Sequence, residues 1–260
     1  MGNNVNNIIE FDNVSLIRSG RTILQNISFK VNKAETLVIL GPSGAGKSSI
    51  LKALVGLWKL ESGKIIINGT DISKFSENEL LPVRKKIGFI FQGNALFDSM
   101  NVEDNVAYFL KERNKIGKAE IKRIVEESLS YVNLSGIEKL HPDELSGGMK
   151  KRVAIARAIA IKPDILLYDE PTTGIDPINA KAIINLINKI REDGTTSIVV
   201  THYVYNAIEV GNNFMVIENG KMIGTGTANE IVSSNNKFIK EFFSEIFSGA
   251  ELVESALKKE

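Results

Sequence analysis

The 260-residue sequence contains no cysteine, which excludes a disulfide framework, a thiolate metal site and a cysteine nucleophile. That absence fits a reducing compartment. Neither sign of charge is in surplus. Lys and Arg number 32 against 31 Asp and Glu, a formal net charge of +1, so no global field would hold the chain on nucleic acid or an anionic membrane. No window approaches the roughly 18 consecutive apolar residues that a membrane-crossing helix needs. The richest stretches are short, such as LVIL and ILLY. The opening MGNNVNN lacks the basic and apolar regions of a secretory signal, and Asn6 stands where a myristoylation motif needs Ser or Thr. Secretion and lipid anchoring are therefore not expected, and any work at a membrane would be done from outside it.

What is present is ordinary globular material. Hydrophobic residues make up 43% and charged residues 24%, which excludes a disordered, collagen-like or low-complexity chain. At about 150 residues per domain, the length suits one large domain or two intimately joined ones. Strand-like segments run from Ile8 to Leu16, Ser28 to Val31 and Glu35 to Leu40, the last ending in an apolar run before a Gly-rich turn. The following SSILKALVGLW carries Ile50, Leu51, Leu54, Val55 and Leu57 at helical spacing, with Gly56 and Gly63 to close it. KIIING and KKIGFIFQ read as further strands, and ILLYD and TTSIVVTH as buried parallel ones. Between Gln92 and Lys162 strand signals vanish and helical periodicity takes over, as in EIKRIVEESLSYV and KKRVAIARAIA. FMVIENGKMIGTGT, from Phe214 to Thr227, holds Asn-Gly between strand-like runs and predicts a hairpin. Finally, Phe238, Phe242, Phe243, Ile246 and Phe247 fall along one face of a helical tail, which is expected to lean on a partner copy.

Three segments carry chemistry. GPSGAGKS comprises Gly41, Pro42, Ser43, Gly44, Ala45, Gly46, Lys47 and Ser48, with Ser49 following, and lies between a predicted strand and a predicted helix. Its glycines let backbone N–H groups turn inward on a phosphate, the helix start adds partial positive charge, Lys47 reaches the β- and γ-phosphates, and Ser48 offers a hydroxyl to Mg2+. ILLYDEP ends a buried strand in Asp169 and Glu170, at the edge where α/β folds bind ligands. Asp169 would hold Mg2+ and Glu170 would orient or deprotonate the water that attacks phosphorus. ELSGGMKKRVAIARA puts Ser146, Gly147 and Gly148 at the start of a periodic helix, a second anion cradle.

Together these residues resemble the ATP-binding subunits of ABC transporters. The order Walker A, Q-loop, signature, Walker B, D-loop and switch histidine appears here as GPSGAGKS, Gln92, LSGGM, ILLYDE, Asp176 and His202. FQGNALFDSMNVEDNVAYFL, from Phe91 to Leu110, is similar to the Mla/Mce-type phospholipid-trafficking branch. The resemblance implies an α/β fold: a P-loop NTPase (RecA-like) core with an N-terminal antiparallel β-subdomain, residues 1–92 and 162–235, an inserted α-helical subdomain, 93–161, and a tail, 236–260. It implies an ATP hydrolase acting as a homodimer, with Ser146, Gly147 and Gly148 contacting ATP bound to the partner copy. Gln92 would reach Mg2+ and the attacking water, His202 the γ-phosphate, and Asp176 the partner protomer. The aromatic that usually stacks on adenine falls at Arg18, whose guanidinium can stack instead. Met149 replaces the usual Gln of the signature.

The implied setting is the cytoplasmic face of the inner membrane, as a peripheral subunit beside permease subunits and an Mce-domain lipid-binding protein. Leu96, Phe97, Met100 and Val102 would suit a groove that receives a permease helix. The alternative is the ATPase of an importer for amino acids or another small polar solute. A soluble ABC ATPase acting on DNA or the ribosome would need a coiled-coil insertion or a second ATPase unit, and no nucleic-acid partner is expected. A P-loop kinase would have no use for LSGGM.

Overall fold

Two long strands, β1 (Asn7–Arg18) and β2 (Arg21–Asn32), form a hairpin that turns at Ser19 and Gly20, both at positive φ. The structure, a computed structural model, describes residues 7–112 and 116–244. Next comes β3 (Thr36–Leu40), buried along its whole length, which delivers the chain through the Gly-rich loop to α1 (Lys47–Leu54). The strands β4 (Ser62–Ile67) and β5 (Thr70–Asp71) then return to β1, giving an antiparallel sheet in the order β2-β1-β4-β5.

A short helix, α2 (Glu77–Arg84), begins at a capping box made by Ser76 and Glu79 and leads to β6 (Ile87–Ile90). From there to residue 162 the described chain is helical: α3 (Val102–Lys111), capped by Asn101, then α4 (Lys118–Tyr131), and α5 (Gly147–Ile159), capped by Ser146. The strand-free interval expected from sequence is thus observed. The remainder alternates: β7 (Ile165–Asp169), α6 (Pro177–Glu192), β8 (Thr196–Thr201), α7 (Val204–Val210), β9 (Asn213–Glu218) and β10 (Lys221–Gly226), followed by α8 (Ala228–Val232) and α9 (Lys237–Ser244).

The second sheet runs β10-β9-β3-β8-β7-β6, parallel throughout except for the β9–β10 hairpin at Asn219 and Gly220. Its central strands β3, β8 and β7 are buried on both faces, and alternation divides the core in two. Leu37 and Ile39 of β3, Leu167 of β7 and Val200 of β8 pack with α1 and the antiparallel sheet. Their neighbours Val38, Leu40, Tyr168 and Val199 pack with the helical segment and the C-terminal elements. Both layers therefore meet on one sheet, whose C-terminal edge carries the functional loops.

The tail corrects one expectation. In α9 the buried residues are Ile239 and Phe243, which join the chain's own core, with Phe238 and Phe242 packed beside them. Gly224 of β10 makes the room: a Cβ there would stand 2.6 Å from the Ile239 Cδ1. This part of the tail packs on its own protomer, while Ile246, Phe247 and the rest to Glu260 lie outside the described residues.

Candidate active site

The Gly-rich loop is shaped by what surrounds it. A Cβ at Gly41 would lie 2.2 Å from the Ile217 carbonyl oxygen, and one at Gly46 would lie 2.9 Å from the Leu24 Cδ2, so β9 and β2 press against the loop from two sides. Gly220 in the β9–β10 turn donates to the Ala45 carbonyl at 3.0 Å, fixing the loop from behind. Lys47 begins α1 and is 6% exposed. Its Nζ donates to the Gly41 and Pro42 carbonyls at 2.8 and 3.0 Å and lies 3.8 Å from Glu170 Oε1. Burial pulls its pKa down, while Glu170 and Asp169 act to restore it.

Walker B lies opposite. Ser48 Oγ donates to Asp169 Oδ1 at 2.7 Å, which brings together a hydroxyl and a carboxylate from positions 121 apart in sequence. Burial raises the Asp169 pKa, partly offset by the Ser48 hydrogen bond. Glu170 is the more constrained acid. It is buried at φ 51, in the left-handed region, where its amide donates to the Val200 carbonyl at 2.9 Å. Thr173 and Thr201 each donate to Oε2 at 3.1 Å, and His202 Nδ1 lies 2.8 Å from Oε1. The strands β3, β8 and β7, successive neighbours in the sheet, thus bring Lys47, Ser48, Asp169, Glu170 and His202 into one cluster. Such an array offers a hard oxygen pair for a cation, an ammonium for phosphate oxygens and a carboxylate held by a neighbouring imidazole.

Other expected residues stand apart. Gln92 is exposed just past β6, and its carbonyl accepts from Lys151 Nζ at 2.7 Å. Ser146 and Gly147 are exposed at the start of α5, while Gly148 is buried, its missing side chain leaving room for Asn179, which a Cβ would meet at 2.6 Å. Asp176 caps α6: its side chain accepts from the Asn179 amide at 3.0 Å and from Asn179 Nδ2 at 2.7 Å. Arg18 packs over Trp58, the guanidinium carbon 5.1 Å from the ring centre, and Lys52 Nζ lies 5.0 Å from the same ring. Within the proposed groove, Val102 belongs wholly to the core and Leu96 packs against it, whereas Phe97 stays 38% exposed and stacks on Tyr108 at 4.6 Å. Val102 is therefore removed from that groove by its burial.

Three supporting residues escaped sequence reasoning. Lys151 and Arg157, both buried on α5, grip the loop after β6. Lys151 reaches the Phe91 and Gln92 carbonyls, and Arg157 donates to the Ala95 and Asn94 carbonyls at 2.7 and 3.0 Å. Asn105 of α3 is fully buried, and its amide bonds the backbone at Phe97, Met100 and Asn101. The one sequence-level signal was polarity on otherwise apolar helix faces.

The family model for ABC transporters matches residues 24–173, a stretch that contains the Gly-rich loop, the signature and the Walker B strand. The chain belongs to the ABC transporter family. Among relatives of this ABC ATPase, the intermembrane phospholipid transport system ATP-binding protein MlaF of Haemophilus influenzae is 39% identical over 237 residues, covering 91% of this chain and 90% of the relative. The probable ribonucleotide transport ATP-binding protein mkl of Mycobacterium tuberculosis is 38% identical over 235 residues, covering 90% of this chain and 66% of the relative. A solved dimeric post-hydrolysis state of the ATP-binding cassette MJ0796, bound to ADP and Pi, superposes with a TM-score of 0.77 at 31% identity, covering 84% of this chain and 98% of that one. The ABC chain is accordingly an ATP hydrolase with a P-loop α/β fold. Among its described residues, no helix is long and apolar enough to cross a membrane.

Proposed function

We propose that this ABC subunit binds and hydrolyses ATP to drive phospholipid trafficking as a peripheral partner of permease subunits at the cytoplasmic face of the inner membrane. The observation that carries the chemistry is the cluster of buried Lys47, Asp169 and Glu170 with half-buried Ser48 and His202 at the C-terminal edge of β3, β7 and β8. The match to MlaF along nine-tenths of both chains supports the phospholipid assignment over a small-solute importer.

In this reading, the backbone N–H groups of the Gly41–Ser49 loop, Pro42 excepted, cradle the phosphates, Ser43 and Gly44 shape the loop tip, and Lys47 turns from its own loop carbonyls to phosphate oxygens. Ser48 and Asp169, already in contact, fit a divalent cation, with Gln92 as a further ligand. Bound Mg2+ would neutralise charge on the β- and γ-phosphates. Glu170 orients and deprotonates water, and His202, beside it, holds that carboxylate and meets the γ-phosphate. Arg18 provides a guanidinium face for adenine. A second copy supplies Ser146, Gly147 and Gly148 to complete each site, with Asp176 facing across, as the dimeric MJ0796 state encourages. Residues 1–92 and 162–235 form the nucleotide core, 93–161 the helical subdomain and 236–260 the tail; an Mce-domain protein completes the assembly.

The test is affinity capture of tagged Glu170→Gln protein with ATP and Mg2+ from solubilised native membranes, with partners identified by mass spectrometry. A permease with an Mce-type protein is expected. A permease with a solute-binding protein, or no membrane partner, would overturn the phospholipid assignment and leave the ATPase.

A further inference from the structure

Lys151 is an unusual residue to find inside a protein. It is 2% exposed, and among the described residues no carboxylate lies within ion-pair distance of its Nζ. Burying an ammonium costs several kcal/mol unless polar groups compensate. The Gln92 carbonyl at 2.7 Å and the Phe91 carbonyl at 3.3 Å supply the direct compensation, and the negative charges of Asp169 and Glu170 add to it from beyond ion-pair distance. Two turns along α5, Arg157 takes the Asn94 and Ala95 carbonyls. Asn94 and Ala95 both sit at positive φ, 64° and 48°, an unfavourable pair for residues with a Cβ. The loop is therefore held in a strained path whose carbonyls face α5. Both cations follow LSGGM on the same helix without being assigned to the nucleotide, and Lys151 grips the very peptide that carries the Gln92 side chain.

We propose that Lys151 is a positioning residue for the hydrolytic step: by anchoring the Phe91 and Gln92 carbonyls to α5, it fixes the direction in which the Gln92 side chain leaves the backbone. A guanidinium or ammonium on one side of a peptide and a reacting centre on the other make a rigid mount, and a displacement of about 1 Å at such a mount can cost on the order of a hundredfold in rate. Because α5 begins at Ser146 and Gly147, the helix that faces a partner's nucleotide is also the helix that aims Gln92 at its own. The proposal rests on the reading of Gln92 as a ligand of the cation and the attacking water.

The experiment compares Gln92→Ala, Lys151→Met, Lys151→Arg and the double variant Gln92→Ala/Lys151→Met in the full chain, with steady-state ATPase kinetics and melting temperature. In a Glu170→Gln background, the affinity of the ATP-bound protein for Mn2+ is read by electron paramagnetic resonance. Lys151→Met should lower kcat by about tenfold or more while KM for ATP moves less than about threefold, and Lys151→Arg should recover most of it. It should weaken Mn2+ by the same factor as Gln92→Ala. The double variant should be no slower than Gln92→Ala alone, since one residue acts through the other. If Gln92→Ala is slow but Lys151→Met turns over normally, or if the two losses multiply, the positioning role is wrong. If Gln92→Ala itself turns over normally, the reading of Gln92 fails and this proposal falls with it. Should Lys151→Met fold poorly, Lys151→Leu, which likewise lacks a donor, replaces it under the same criteria.

Discussion

The two halves of the site are held by different means. On the Walker side, motif side chains hold one another: Ser48 on Asp169, His202 and two threonines on Glu170, and Lys47 on its own loop. On the helical side, Gln92 is held through its backbone carbonyl, and Lys151 of α5 supplies the grip. A side-chain cluster built on adjacent buried strands is rigid by construction. A loop gripped through its carbonyls can be released by moving one helix. The Walker half is thus a fixed platform, and the Gln92 half is adjustable.

The strongest way to sharpen this contrast is Glu170→Gln. Removing the proposed base should lower ATP turnover by about 10² to 10⁴ while leaving ATP binding intact, checked by steady-state hydrolysis and equilibrium binding. Lys47→Ala should instead reduce ATP affinity itself, by roughly tenfold or more, because a desolvated charge–phosphate contact is lost. Next in size is Asn105→Ala on the helical side. Leaving the Phe97, Met100 and Asn101 backbone groups without their partner should destabilise the fold by about 1–3 kcal/mol, seen in chemical denaturation. Equal loss of turnover and stability would show that the Asn105 loop is structural, whereas lost coupling to a permease at normal basal turnover would mark it as part of the adjustable half. Smallest is Lys139→Ala, whose solvent-screened pair with Glu103 should leave the denaturation midpoint unchanged. A larger effect would mean that the helical segment depends on surface charge.

How much could be read beforehand follows the same division. The Gly-rich loop, the acid pair, the histidine and the Asn219–Gly220 hairpin are local patterns, and each stands where its spacing placed it. The supports are not local. Lys151 and Gln92 are 59 positions apart, so their bond is a product of tertiary packing. The helix α2, capped by Ser76 and Glu79, carries no hydrophobic stripe and was not expected from the sequence. In α9, Phe238 and Phe242 make one apolar ridge and Ile239 with Phe243 a second beside it. Periodicity alone cannot rank them, and the choice was made elsewhere, by the bare surface of Gly224. Arg18 was found by counting, but its packing on Trp58 required the loop after α1 to fold back.

Gly148 bears on how a genetic defect at the signature is to be interpreted. Its bare Cα abuts Asn179, which is itself pinned by the α6 cap Asp176, so any side chain at 148 collides inside its own subunit before a second copy arrives. An inactive allele at this glycine would therefore say nothing, by itself, about contact with a neighbour's nucleotide. Mixed dimers carrying one altered subunit, scored for which of the two sites has fallen silent, would separate the two origins of the defect.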